Sequence, residues 1–234
     1  MNSDELVKKK LEELRAQRSP QNIKSNEKYT QKGFYVGVVK NTPYFPDTTM
    51  VNLMAVSNIM KRVFNYTYIT GSALTVARKN LMENLKKRII ENGDDPELTY
   101  VLLIDSDIII KNTPQELAEI FKEAEEKDIN ISALYKKANF TSVIIGVYSN
   151  DFAPVLLDEN HEDWNRYNKY IPTYRKWYYP IGFYYGRYMP YDYIWRMDMK
   201  GEDIYFVEQN DFLWERTFID KRVKLGHIKE IIIS

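Results

Sequence analysis

Two carboxylates two positions apart, Asp105 and Asp107, close the apolar run Tyr100-Val101-Leu102-Leu103-Ile104. Such a short unbroken apolar run predicts a strand buried on both faces. Residues two apart in an extended chain project to the same side, so both carboxylates can face one cation. A hard divalent ion such as Mg²⁺ or Mn²⁺ takes oxygen ligands and commonly bridges to substrate phosphates. The chain contains no cysteine. That excludes disulfides, thiolate nucleophiles and Cys-held zinc, and leaves oxygen and imidazole to hold any metal. Two histidines are present: His227, in Leu225-Gly226-His227-Ile228, and His161, in a polar stretch to which no role is assigned.

Further residues carry chemistry of their own. Glu202 and Asp203 open a predicted helix from Asp203 to Arg216; a carboxylate there can accept a proton, and two acids at a helix start are also favoured by the helix dipole alone. Arg78 falls on the stripe Leu74, Leu81 and Leu85 of a predicted helix that Ser72 caps. A guanidinium on an inward face requires an anion, either a carboxylate or a phosphate, and an internal ion pair positioning the Asp105 loop is the preferred reading. Val39, Lys40, Asn41 and Thr42 lie where the first predicted strand ends, as a ligand-contacting loop or an ordinary strand-to-helix connection. The segment from Trp164 to Trp195 is crowded with Tyr and Trp. Aromatic faces pack on sugar rings as readily as they fill a core. Tyr193 and Trp195, nearest to Glu202, are the sugar-stacking candidates.

These residues need a scaffold, and the hydrophobic periodicity supplies one. Strands are expected at Phe34 to Val39, Tyr66 to Ile69, Tyr100 to Ile104, Ile131 to Tyr135 and Ser142 to Tyr148; helices at Thr48 to Val63, Ser72 to Asn92 and Pro114 to Lys127. Strands alternating with helices predict an α/β fold with a mostly parallel sheet covered by helices. Residues 1–32 read as an appended helix with the stripe Val7, Leu11 and Leu14 plus a polar linker, suited to self-association. Residues 33–234 read as one domain, in which the strand and helix periodicity fades after Asn150. Lys plus Arg and Asp plus Glu balance at 33 each, which disfavours a bulk nucleic-acid partner. No apolar run reaches the roughly 20 residues of a membrane span, so a cytoplasmic location is expected. Neither a Gly-x-Gly-x-x-Gly nor a Gly-Lys-Ser/Thr phosphate loop is present, which disfavours dinucleotide dehydrogenases and P-loop ATPases.

Taken together, Ala77-Arg78-Lys79-Asn80-Leu81, the run from Thr99 to Ile108, Gly201-Glu202-Asp203-Ile204-Tyr205-Phe206 and Leu225-Gly226-His227-Ile228 resemble, in order and separation, GT-A glycosyltransferases, nearest to family-2-like members. The resemblance spans about Phe34 to Ile231, and the composition suits an archaeal or viral member. It implies a Rossmann-like GT-A fold, with residues 33–150 as the nucleotide-sugar-binding half, residues 151–234 as the acceptor and catalytic half and Val39 to Thr42 at the nucleotide base, and sugar transfer from a UDP- or GDP-sugar to a glycan, protein or lipid acceptor. It also implies metal ligation by Asp105, Asp107 and His227, with Asp105 shared between ribose and metal, and Asp203 as the base, with Glu202 orienting acceptor or base. One imidazole among carboxylates favours Mn²⁺ over Mg²⁺. The sequence departs from the family at Ile194 to Lys200, where a small Gly-rich loop is expected, so the donor sugar stays open, as does inversion against retention. A catalytically silent nucleotide-binding or structural protein on the same fold is the alternative, and a sugar nucleotidyltransferase is a lesser one because Lys40 to Pro46 lacks a Gly-rich basic loop.

Overall fold

Strand β1 (Gly33–Lys40) leads through helix α1 (Asp47–Ile59) to β2 (Val63–Thr70), and helix α2 (Leu74–Glu91) returns the chain to β3 (Tyr100–Asp105). The computed structural model describes residues 29–40, 46–70, 74–133, 144–148, 154–156, 162–173, 182–189 and 215–228. Beyond β3 the described elements are β4 (Ile108–Ile110), α3 (Pro114–Lys127), β5 (Asn130–Ser132), β6 (Ile144–Tyr148), β7 (Pro154–Leu156), α4 (Glu162–Arg166), β8 (Tyr170–Pro172), β9 (Phe183–Arg187), β10 (Thr217–Asp220) and β11 (Leu225–His227). The protein is therefore α/β.

A seven-stranded sheet in the order β2-β1-β3-β9-β5-β10-β8 forms the centre. Strands β2, β1, β3, β5 and β10 run one way; β9 and β8 run the other. Strands β9, β10 and β8 from the second half of the chain are thus interleaved with or flank strands of the first half in one sheet. Among the described residues two antiparallel pairs, β4 with β11 and β6 with β7, stand outside it. The expected strand from Ser142 to Tyr148 is therefore β6 of a small ribbon, not a member of the parallel sheet.

Alternation along β1 and β3 sorts the core into two layers. Phe34, Val36, Val38, Leu102 and Ile104 pack with Leu53 and Val56 of α1 and Leu117, Phe121 and Ala124 of α3. On the other face Tyr35, Val39, Val101 and Leu103 pack with Ala77, Leu81, Leu85 and Ile89 of α2. The aromatic segment contributes Tyr170, Phe183, Tyr184, Tyr185 and Tyr188 to these layers, and Tyr185 stacks on Phe121 at 3.8 Å between ring centroids. Of the two readings open for that segment, these five residues take the core one.

Local chemistry sets the element ends. Thr113 caps α3 with a full capping box, its side chain accepting from the Glu116 N–H while the Glu116 carboxylate accepts from the Thr113 N–H. Helix α1 was expected to reach Val63 but stops at Ile59, because Lys61 turns left-handed (φ 57°) and the Arg62 N–H bonds back to the Ser57 carbonyl. The helix expected to reach Arg216 does not: Glu215 and Arg216 form a turn that feeds β10. Below the sheet, Asp94 accepts from the N–H groups of Lys32 (3.0 Å) and Gly33 (2.9 Å) and from the hydroxyls of Tyr35 (2.7 Å) and Tyr29 (3.2 Å). Gln31 meanwhile bonds both the N–H and the carbonyl of Tyr100. These two side chains fix how β1 enters beside β3.

Candidate functional site

The chain moves to opposite sides of β1: α1 carries it from β1 to β2 on one side, and α2 carries it from β2 back past β1 to β3 on the other. Such a switch point opens a crevice outside the carboxyl ends of the two parallel strands, where ligands of α/β sheets gather. The residues at that mouth are Val39 and Lys40 on β1 and Asp105 on β3, with Val39 in register opposite Asp105. The Ser106 N–H donates to the Val39 carbonyl (3.3 Å) and the Asp105 N–H to the Gly182 carbonyl (3.0 Å), so the turn Ser106–Asp107 is held to both neighbouring strands. Ser106 is buried, while Asp105 and Asp107 remain partly open to solvent.

Arg78 supports this mouth from below. Helix α2 presents it on the face that carries Ala77, Leu81 and Leu85, and its side chain keeps only 8% of its exposure. Its Nη2 lies 3.6 Å from Asp105 Oδ1. A cation at that distance offsets the mutual repulsion of two carboxylates and holds Asp105 in place without a ligand.

The tail of the chain closes the other side. Strand β11 runs antiparallel to β4 with His227 opposite Ile108, and the Ile228 N–H donates to the Asp107 carbonyl at 2.7 Å. The backbone of His227 is therefore stitched beside the Asp107 turn. Among the described residues no three Asp, Glu or His side chains converge into a metal cage. Asn41, Thr42, Tyr193, Trp195, Glu202 and Asp203 lie outside the described residues, and Lys40 and His227 are placed by their backbones alone.

Two positioning residues escaped the sequence reading. Thr49, fully buried at the start of α1, bonds the Ile108 carbonyl and the Ile110 N–H, both at 3.2 Å. Asn112 donates to the Arg222 carbonyl (2.9 Å) and accepts from the Lys224 N–H (2.6 Å), which brings β11 up to β4. In the sequence they are only small polar residues near element ends, Thr49 after Asp47-Thr48 and Asn112 between Lys111 and Thr113, a pattern that helix caps and turns produce equally well.

Among the described residues, a cleft of about 390 Å³ opens along β2 and α2 at Thr67, Asn84, Lys87, Arg88 and Glu91, and one of about 370 Å³ at the amino end of the sheet between Tyr29, Arg62, Tyr100 and Arg187. Neither touches Asp105. No protein-family model matches the chain, and no curated protein matches it.

Proposed function

We propose that the chain is a metal-dependent glycosyltransferase of the GT-A fold, moving a sugar from a UDP- or GDP-sugar to an acceptor. The observation that carries this reading is the carboxylate pair Asp105 and Asp107 at the switch point between β1 and β3, with the β11 backbone bound to the Asp107 turn. A divalent ion that serves a diphosphate needs only one or two protein carboxylates, since phosphate oxygens and water complete its shell. The donor set Asp105 and Asp107 fits that requirement, and the absence of a three-residue cage among the described residues does not oppose it. His227 is the candidate third ligand, which favours Mn²⁺. When bound, the ion supplies charge stabilisation of the departing nucleoside diphosphate. Arg78 holds Asp105, and Val39 and Lys40 border the space for the nucleotide. Asp203 is the proposed base that takes the acceptor hydroxyl proton, with Glu202 orienting it and Trp195 flanking the sugar.

The test is nucleoside diphosphate release from a panel of UDP-, GDP- and dTDP-sugars, with and without Mn²⁺. Asp107→Ala is expected to abolish metal-dependent donor binding, whereas Asp203→Asn spares binding and removes transfer. Donor binding without any release across the panel would favour the catalytically silent alternative. Unchanged transfer in Asp203→Asn would remove Asp203 as the base.

A further inference from the structure

Strands β4 and β11 pair antiparallel, and in such a pair alternate residues turn their main-chain groups to the partner while those between turn them away. The Asp107 carbonyl accepts from the Ile228 N–H and the Lys111 N–H donates to the Lys224 carbonyl, so Asp107, Ile109 and Lys111 face β11. Ile108 and Ile110 therefore face the other way. Both are core residues, at 0% and 5% exposure, where an unmet N–H or C=O is costly. A single hydroxyl meets both: Thr49 Oγ1 donates to the Ile108 carbonyl and accepts from the Ile110 N–H, each at 3.2 Å. It does for β4 what a neighbouring strand would do. Thr49 is itself fully buried, on a helix that Leu53 and Val56 anchor in the core.

The far end of the ribbon repeats the device. In the register of β4 on β11, the Thr113 N–H would continue the ladder to the Arg222 carbonyl, but the Glu116 carboxylate takes it in the capping box of α3. The Asn112 side chain substitutes, donating to the Arg222 carbonyl and accepting from the Lys224 N–H. The Asn52 amide of α1 donates in turn to the Asn112 carbonyl at 2.7 Å. Thr49 and Asn52, one turn apart on α1, thus hold both ends of β4.

The end beside Thr49 carries Asp107. The two peptide planes that follow the Asp107 Cα are each held by one bond, the first by the Ile228 N–H and the second by the Thr49 hydroxyl. Together these bonds set the direction in which the backbone projects the Asp107 side chain. We propose that Thr49 is a positioning residue for metal binding: its hydroxyl fixes the aim of Asp107 and so sets the affinity for Mn²⁺ without acting as a ligand. The inference rests on the reading of Asp107 as a metal ligand.

Thr49→Val keeps the shape of the side chain and removes the hydroxyl, and Thr49→Ser keeps the hydroxyl. Mn²⁺ uptake by each full-length variant, with UDP or GDP present, is followed by loss of the free-ion electron paramagnetic resonance signal. Hydrogen exchange of the Ile110 amide reports the Thr49 bond independently of any metal. Thr49→Val is expected to lose the Ile110 protection and to weaken Mn²⁺ binding by about tenfold or more, as loss of a group that orients a metal ligand does. Thr49→Ser should restore both. Ser57→Ala removes a hydroxyl that the same helix directs to the Met54 carbonyl, and should leave Mn²⁺ affinity unchanged. Should Thr49→Val fail to fold, Asn112→Ala, which releases the other end of the ribbon, is expected to weaken Mn²⁺ binding in the same way. Wild-type affinity in Thr49→Val, or equal weakening in Ser57→Ala, would overturn this inference and leave the proposed function standing. No Mn²⁺ uptake by the wild-type chain with either nucleotide would overturn both.

Discussion

Asp94→Asn tests whether the clamp beneath the sheet holds β1 in place. The wild-type carboxylate is buried and accepts two main-chain N–H groups and two tyrosine hydroxyls at 2.7 to 3.2 Å. Asparagine keeps one acceptor oxygen and turns an NH₂ toward donors that then lack a partner. Hydrogen bonds to a charged acceptor contribute about 1.5–3 kcal/mol each and do not add, so a loss of about 2–4 kcal/mol at pH 7 is expected. The pH dependence has a definite sign. Burial works to raise the Asp94 pKa, but the bonds from Tyr35, Lys32, Gly33 and Tyr29 outweigh it and leave the group below its ordinary 3.8. A depressed carboxylate contributes stability that is complete above the unfolded value and is lost as pH falls through the folded one. Urea unfolding of both proteins at pH 7 and near pH 3 measures this, and the gap between them should narrow in acid. A gap under about 0.5 kcal/mol at pH 7, or one that widens in acid, would refute the account of the clamp.

Two further perturbations probe the site and its scaffold. Arg78→Met removes the cation beneath Asp105; breaking a buried pair costs several kcal/mol, and the 27% exposure of the Asp105 side chain reduces this to about 1–3 kcal/mol in thermal or urea unfolding. The same variant should weaken Mn²⁺-dependent nucleotide binding by about tenfold or more, as loss of a group that orients a metal ligand does, and wild-type affinity would show that Arg78 is only structural. Thr113→Ala removes the cap of α3 and should cost about 1 kcal/mol in urea unfolding; no change would mean that packing of Leu117 and Phe121 alone sets the helix start.

The first half of the fold was legible because its signals are local. Helix α3 matches its expected span, Pro114 to Lys127, since Thr113, Pro114 and Glu116 write a complete start signal and Leu117, Ile120, Phe121 and Ala124 keep one apolar face. Strand β3 was equally plain, being buried along five consecutive residues. Strand β9 was not. Its run Phe-Tyr-Tyr-Gly-Arg lies between β3 and β5 and is buried through Gly186, but aromatic residues alone do not distinguish a central strand from a binding wall. The decision came from β3 and β5, which receive β9 from opposite sides, and from Gly186, where a Cβ would fall 2.5 Å from Asn130 Oδ1. That crowding is what lets the Asn130 side chain reach the Arg187 N–H.

For the site, residue types were readable and their meeting was not. Asp105 and Asp107 follow from one strand and its period of two, and Arg78 from the period of a helix. Their approach at 3.6 Å depends on α2 crossing back over β1, where Gly37 admits Leu81 and Leu85 so closely that a Cβ would lie 2.8 Å from Leu85. The tail is a harder case, because nothing in Leu225-Gly226-His227 names a partner. It reaches Asp107 through Thr49, which fixes β4, and through Asn112, which binds residues 222 and 224 and sets the register of Leu225 on Ile110. A slip of one residue there would exchange the faces of all three tail residues and carry the Ile228 N–H away from the Asp107 carbonyl. The arrangement beside Asp107 is thus decided by two uncharged side chains that take no part in the proposed chemistry, and for that reason a search for chemical residue types passes over them.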